Sequence, residues 1–208
     1  MTAEELILRR AIVFLSGVIY WAGVWLQARR IRKRIGRSPN VKPRGTKEKL
    51  LWAGWFLVVI VWVVQPWMIR HDPIFPALRL TDDLLTPLGL SLGIFLIGGG
   101  YAATLWCYSV MGSAWRMGIN EKEKNSLVTQ GPYRSIRHPI YLFQIIMLAG
   151  AALLLPTLLS LLILLLHLIC VLIKAADEES YLLTVHGQQY SDYLSRTGRL
   201  FPKLLRRT

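Results

Sequence analysis

An all-α, polytopic membrane fold follows from three observations. Four uncharged stretches, 11–28, 50–69, 84–115 and 139–173, carry most of the apolar content. A helix needs about 20 residues to cross a bilayer; each of the first three stretches holds one crossing and the last holds two short ones. The charges, 25 Lys or Arg against 12 Asp or Glu, fall outside these stretches. Finally, 53% of the 208 residues are hydrophobic and only 18% are charged. A soluble bundle of this size cannot wrap five nearly uncharged helices in a polar surface.

Five transmembrane segments are predicted, at about 8–27, 50–69, 88–110, 140–155 and 157–173. The first is long, lacks the small-residue exit of a cleaved leader and is followed by a basic run, so it reads as a retained helix. The second ends near Gln65 and Pro66, where a kink or a helix exit is expected. Between it and the third, the Asp- and Pro-containing stretch 72–83 reads as an external loop. Pro87 suits the first turn of the third segment. Gly93, Gly98, Gly99, Gly100, Ala102 and Ala103 give that segment a smooth surface, for close helix packing or for a gap that admits an apolar chain. Residues 121–124, alternating Glu and Lys, read as a solvated face. Pro156 divides the last stretch into a C-terminal helical hairpin with short arms. Either protein shields the arms or their turn stops short of the far surface. Past 173, an amphipathic helix with a break near Gly187 is expected, then a basic and apolar anchor at 200–207 on the inner face.

Charge sets the orientation. Residues 29–49 carry +9, 111–138 carry +3 and 174–208 carry +2, whereas 70–83 carry −1. The positive-inside rule places the three basic segments in the cytosol, which puts the N-terminus outside and the C-terminus inside. The net charge of +13 does not point to nucleic acid. Its densest cluster, at 29–34, directly follows a membrane helix, where topology and attraction to anionic membrane lipids account for it. Cys107 and Cys170 fall inside membrane segments, at a spacing that suggests neither a disulfide nor a metal thiolate pair.

Chemistry-capable side chains gather at both mouths of the hairpin. On one side a Gly131-Pro132 turn brings Tyr133, Arg134, Arg137 and His138 together, and Pro139 starts the next helix directly after His138. No His-x-x-x-His, Cys pair or carboxylate ladder accompanies His138, so no metal is assigned. His167 reads as a packing residue within the hairpin. On the other side, Lys174 and Glu178 share a helix face at i, i+4, with Glu179 turned about 100° away. Ionisable groups so close to a membrane are functional candidates.

These residues also form an ordered set. Leu127-Val128-Thr129-Gln130-Gly131-Pro132-Tyr133 is followed by Arg137-His138-Pro139-Ile140-Tyr141, then by Glu178-Glu179 with Leu182, then by Gly187, Tyr190, Tyr193, Arg196, Arg199 and Pro202. In this set, over roughly residues 88–203, the chain resembles the integral membrane isoprenylcysteine carboxyl methyltransferase family and its phospholipid methyltransferase relatives. The resemblance implies a single membrane domain over 1–208, with a variable two-helix part at 1–87 and a catalytic core at 88–203. It implies S-adenosyl-L-methionine as cofactor, without metal, in a cytosolic cofactor pocket walled by Gly131, Tyr133, Arg137, His138, Tyr141 and Glu179. His138 and Glu179 would meet the amino, carboxylate or ribose groups, and Tyr141 would pack against the cofactor. The acceptor would be a lipophilic small molecule or prenylated substrate entering sideways from lipid, with methyl esterification of a prenylcysteine-like carboxylate as the family-level expectation.

Lys174 and Glu178 are then the catalytic candidates. Lys174 would hold the acceptor's negative end, and Glu178 would orient Lys174 or handle an acceptor proton. The family pattern places Arg where this chain has Lys174. Charge is kept and the bidentate fork is lost, which leaves room for a phenol, amine or thiol acceptor. Two other functions compete: N-methylation of phosphatidylethanolamine, and a noncatalytic membrane receptor or scaffold that keeps the helical frame.

Overall fold

A computed structural model describes residues 2–36, 38–39, 43, 45–69, 75–116 and 126–203. Thr2 starts α1 (Ala3–Ile35) by accepting the Glu5 N–H on its hydroxyl. The helix is 33 residues long, about 50 Å at 1.5 Å per residue. Its last turn holds Arg32, Lys33 and Arg34, whose charge complements the negative end of the helix dipole. α2 (Gly45–Met68) does not end at Pro66; the helix continues through it to Met68. Gln65, on the turn before, is buried and donates to Thr157 Oγ1 and Ser160 Oγ at 2.6 and 2.7 Å.

Thr86 caps α3 (Pro87–Met111) through the Gly89 N–H, with Pro87 in the first turn as expected. α3 lies closely along α4 (Pro139–Leu154) because both helices present glycine at the crossing. A Cβ on Gly93 would stand 2.9 Å from the Gly150 carbonyl oxygen, and one on Gly150 would stand 2.8 Å from that of Gly93. The triple glycine contributes through Gly100, which meets Met147; a Cβ on Gly98 or Gly99 would touch nothing within 4 Å. The smooth surface is therefore narrower than the sequence suggests.

α5 (Leu158–His186) joins the last predicted crossing and the amphipathic helix after it into one element. The predicted short arm at 157–173 is one half of a 29-residue helix that runs on through Lys174, Glu178 and Glu179 without a break. The apolar run ends at Lys174, but the charged residues beyond it are paired across to neighbouring elements, so the helix does not need to stop there. The break comes at Gly187, as predicted, and α6 (Gln188–Arg196) follows.

The fold is all-α and polytopic. α1, α2, α3 and α5 are each long and apolar enough to cross a membrane, and α4 is an apolar helix of 16 residues. The hairpin turn at Pro156 is tied to the segment between α2 and α3, where the Thr81 N–H donates to the Pro156 carbonyl at 2.8 Å. Near it Arg9, fully buried, donates to Glu5 at 2.8 Å, to the Thr86 carbonyl at 3.0 Å and to the Leu154 carbonyl at 3.4 Å. A buried charge thus closes the exposed end of α4. The alternating charges of 121–124, His71 through Pro73, and the tail beyond Lys203 lie outside the described residues.

Candidate functional site

At the opposite end of the bundle the chain between α3 and α4 is held against the C-terminal tail. A tight turn at Gly131–Arg134 begins with Gly131 at φ 56°, a left-handed backbone that side chains disfavour. A Cβ there would also press on Val110 of α3 at 2.8 Å. The Arg137 and His138 N–H groups donate to the carbonyls of Gly198 and Arg199 at 2.9 and 3.0 Å, and the Gly198 N–H donates to Ser135 at 3.1 Å. The Tyr193 hydroxyl of α6 donates to the Tyr133 carbonyl at 2.6 Å. Short pairings of this kind fix the backbone on which the polar side chains stand.

Those side chains meet over α5. Glu179, its side chain 10% exposed, accepts from Arg137 Nε at 2.8 Å and from Arg199 Nη2 at 2.6 Å. Glu178, one residue earlier, accepts from the Tyr141 hydroxyl at 2.9 Å. His138 lies between the two carboxylates: Nδ1 is 3.4 Å from Glu178 and Nε2 is 3.3 Å from Glu179. Both are within ion-pair distance. The imidazole stacks on Tyr141 with ring centres 5.6 Å apart and 10° between planes.

The charges reinforce one another. Burial pushes the His138 pKa down, but Glu178 and Glu179 outweigh it and hold the imidazole above its ordinary 6.5. Burial pushes Glu179 up, but His138, Arg199 and Arg137 outweigh it and hold the carboxyl well below the usual carboxylate range. Glu179 is thus a fixed anion and His138 favours its charged form.

A cavity of about 300 Å³ opens beside this cluster, within the range of small-molecule sites. Of the residues predicted for the site, Tyr133, Arg137, His138, Tyr141, Lys174 and Glu178 line it together. Gly131 and Glu179 stand behind its wall. Gly131 shapes the turn that carries Tyr133, and Glu179 anchors Arg137 and His138. Lys174 does not pair with Glu178. Its ammonium, 4% exposed, has Glu48 of α2 as its ion partner at 3.5 Å. Lys47, next to Glu48, pairs with Asp177 at 2.6 Å, so two opposite charge pairs join α2 to α5.

Sequence reasoning missed the contribution of the first two helices. Tyr20, Trp21 and Val24 of α1 and Trp52 and Trp55 of α2 complete the cavity wall. Trp55 reaches Tyr141, ring centres 6.0 Å apart. A signal was present: Glu48, Trp52 and Trp55 recur at i, i+4 and i+7, the spacing of one helix face. Tyr190 and Tyr193 of α6, expected on a surface helix, also line the cavity and are buried.

Residues 88–189, from the start of α3 into α6, match the family model described as phospholipid methyltransferase. This part of the chain belongs to the phospholipid methyltransferase family. It falls within the isoprenylcysteine carboxyl methyltransferase-like superfamily, so the resemblance read from the 127–141 and 178–182 motifs holds at that level. Two relatives are named for metal resistance. The cobalt-zinc-cadmium resistance protein CzcN of Cupriavidus metallidurans is 26% identical over 144 residues, 69% of this chain and 63% of the relative. The nickel-cobalt-cadmium resistance protein NccN of Alcaligenes xylosoxydans xylosoxydans is 26% identical over 123 residues, 59% of this chain and 54% of the relative. The matched region therefore spans less than two thirds of either relative's length. The phospholipid methyltransferase segment supplies the charged residues of the cavity wall, and α1 and α2, which lie before it, add Tyr20, Trp21, Val24, Trp52 and Trp55.

Proposed function

We propose that this cavity binds S-adenosyl-L-methionine and that the protein transfers its methyl group to a lipophilic acceptor, the carboxylate of a prenylcysteine-like molecule, giving a methyl ester. The observation that carries this reading is the joint presence, in one wall, of the family's His138, Tyr141 and Glu178 with a buried Lys174 ammonium. The cofactor, when bound, supplies an activated methyl on a sulfonium centre.

The residues present suit that cofactor. Arg137 keeps N–H donors beyond those given to Glu179 and Thr197, for a carboxylate. The Tyr190 hydroxyl is buried, belongs to a cavity-lining residue and has no hydrogen-bond partner among the described residues. Glu178 and the neighbouring aromatic faces favour a cation.

The work of the chain is alignment and exclusion of water. Lys174 holds the negative end of the acceptor. A carboxylate is already ionised near neutral pH and needs no general base. Glu178, oriented by the Tyr141 hydroxyl, sets the field around the sulfonium position. Glu179 keeps Arg137 and His138 in place from behind. The wall lies on the cytosolic side in the orientation that the charge distribution supports.

The family match favours a second reading, N-methylation of a phosphatidylethanolamine head group. There Glu178 would take a proton from the acceptor amine. One assay separates the two. The protein is given labelled S-adenosylmethionine with a farnesylcysteine analogue, and in parallel with a total membrane lipid extract. An alkali-labile methyl ester on the analogue supports the first reading. An alkali-stable N-methyl product supports the second, and no labelled product from either sinks both.

A further inference from the structure

Trp21 of α1 and Trp55 of α2 line the cavity, and each indole Nε1–H is buried without a hydrogen-bond partner among the described residues. Buried donors are almost always paired, and an orphan in a cavity wall marks where an acceptor from outside the chain belongs. Lys174 lines the same cavity, and its ion pair to Glu48 is long, at 3.5 Å. An ammonium has three N–H donors, so this one has capacity left. Two neutral N–H groups and one cation together complement an oxyanion. Trp52, three residues before Trp55 on α2, adds flat apolar surface alongside. Both tryptophan donors come from helices that precede the family-matched segment at 88–189.

We propose that Trp21, Trp55 and Lys174 form an oxyanion-binding acceptor subsite, which takes the anionic end of an amphiphilic acid while its chain lies against Trp52. The purpose of the subsite rests on the methyl-transfer reading; what it binds does not. Selectivity for the acceptor then draws on α1 and α2 as well as on Lys174 of the family-matched segment.

The test measures binding in phosphatidylcholine nanodiscs, against empty discs, for N-acetyl-S-farnesylcysteine, its methyl ester and farnesyl monophosphate. Wild-type protein binds the free acid or the phosphate at least about tenfold more tightly than the ester, as a charge-assisted contact predicts. Trp21→Phe and Trp55→Phe keep an aromatic ring and remove only the N–H; each lowers that preference about three- to tenfold. Lys174→Gln lowers it about tenfold or more. Trp67→Phe, on the lipid-facing surface at the other end of α2, leaves it as in wild type. Selective binding of either oxyanion supports the subsite, and the tighter of the two names the head group as carboxylate or phosphate.

Equal binding of acid and ester by wild type overturns the proposal. So does a preference that survives both Trp→Phe changes in proteins that melt with wild type. S-adenosylmethionine titrated into the same discs reads the other assignment separately. Cofactor binding without oxyanion preference removes the subsite alone, and oxyanion preference without cofactor binding removes the methyl-transfer reading alone.

Discussion

Glu179 holds two guanidiniums and an imidazole on one side chain that is 10% exposed. Removing its charge strands those cations, and breaking a buried ion pair from one side costs about 3–5 kcal/mol. Glu179→Gln therefore melts well below wild type in detergent. The pH dependence has a definite sign. The carboxyl is held below its ordinary 4.5, so its stabilisation is full above that value and fades as pH falls through the lower folded one. The melting-temperature gap between wild type and Glu179→Gln is wide at pH 7 and narrows on acidification. His138 behaves in the opposite sense. Its folded value lies above 6.5, so its ion pairing is full below 6.5 and fades as pH rises through the folded value. The gap to His138→Gln narrows as pH rises. A gap that moves the other way in either variant contradicts the cluster described here. At Lys174 the effect falls on rate. Lys174→Ala slows methyl transfer about a hundredfold, the loss typical of a misaligned reactant, and weakens cofactor affinity far less; Lys174→Arg keeps the charge and recovers most of the rate. Single-turnover rates and calorimetric affinities separate these effects.

Between elements, the closest approach is that of α3 to α4, where the Gly93 and Gly150 backbones meet. Gly150→Ala puts a methyl against a carbonyl that cannot move aside, and overpacking of this kind costs about 1–3 kcal/mol. Gly98→Ala meets no neighbour within 4 Å, and in a helix it gains up to about 1 kcal/mol from propensity. Melting in one detergent orders the three as Gly98→Ala at or above wild type, and Gly150→Ala below. The glycines were legible in the sequence as a group. Which of them face α4 was not, because a run of three consecutive residues points in three directions around a helix. Apolar content ends at Lys174, yet Glu48, Lys47, Arg137 and Arg199 supply cross-element partners to Lys174 and the charged residues of α5 beyond it. Prolines, in contrast, marked helix starts well, since Pro87 and Pro139 each stand in a first turn.

On the scale of the whole molecule, the positive-inside rule applied to the basic segments predicts that the end of the bundle carrying the site faces the cytosol. Cysteines introduced at Gln188 and Lys203 are protected from an impermeant thiol reagent in intact cells, and one introduced at Arg79 is labelled. Labelling at Gln188 before permeabilisation reverses the orientation. The all-α polytopic class was readable because long uncharged runs are one-dimensional signals. The cavity was readable only in half. His138, Tyr141 and Glu178 belong to a recognisable motif, whereas Trp21 and Trp55 matter through where α1 and α2 lean: the i, i+4, i+7 spacing of Glu48, Trp52 and Trp55 marks a helix face without saying what that face meets. The buried Arg9 at the other end escaped for the same reason: its carbonyl partners, at Thr86 and Leu154, lie far away in sequence.

The 16 residues of α4 have a further meaning. They rise about 24 Å, less than the roughly 30 Å of a bilayer's hydrocarbon layer. His138, at the foot of this helix, is therefore drawn toward the acyl chains, or the leaflet beside it is drawn thin. Either way an amphiphile can present its head to the site without leaving the lipid, and the host membrane becomes part of the reaction geometry. Methyl-transfer rate in vesicles of stepped acyl length should peak in the thinner bilayers and decline as the chains lengthen; a rate indifferent to chain length would show that the short helix is shielded from lipid by its neighbours.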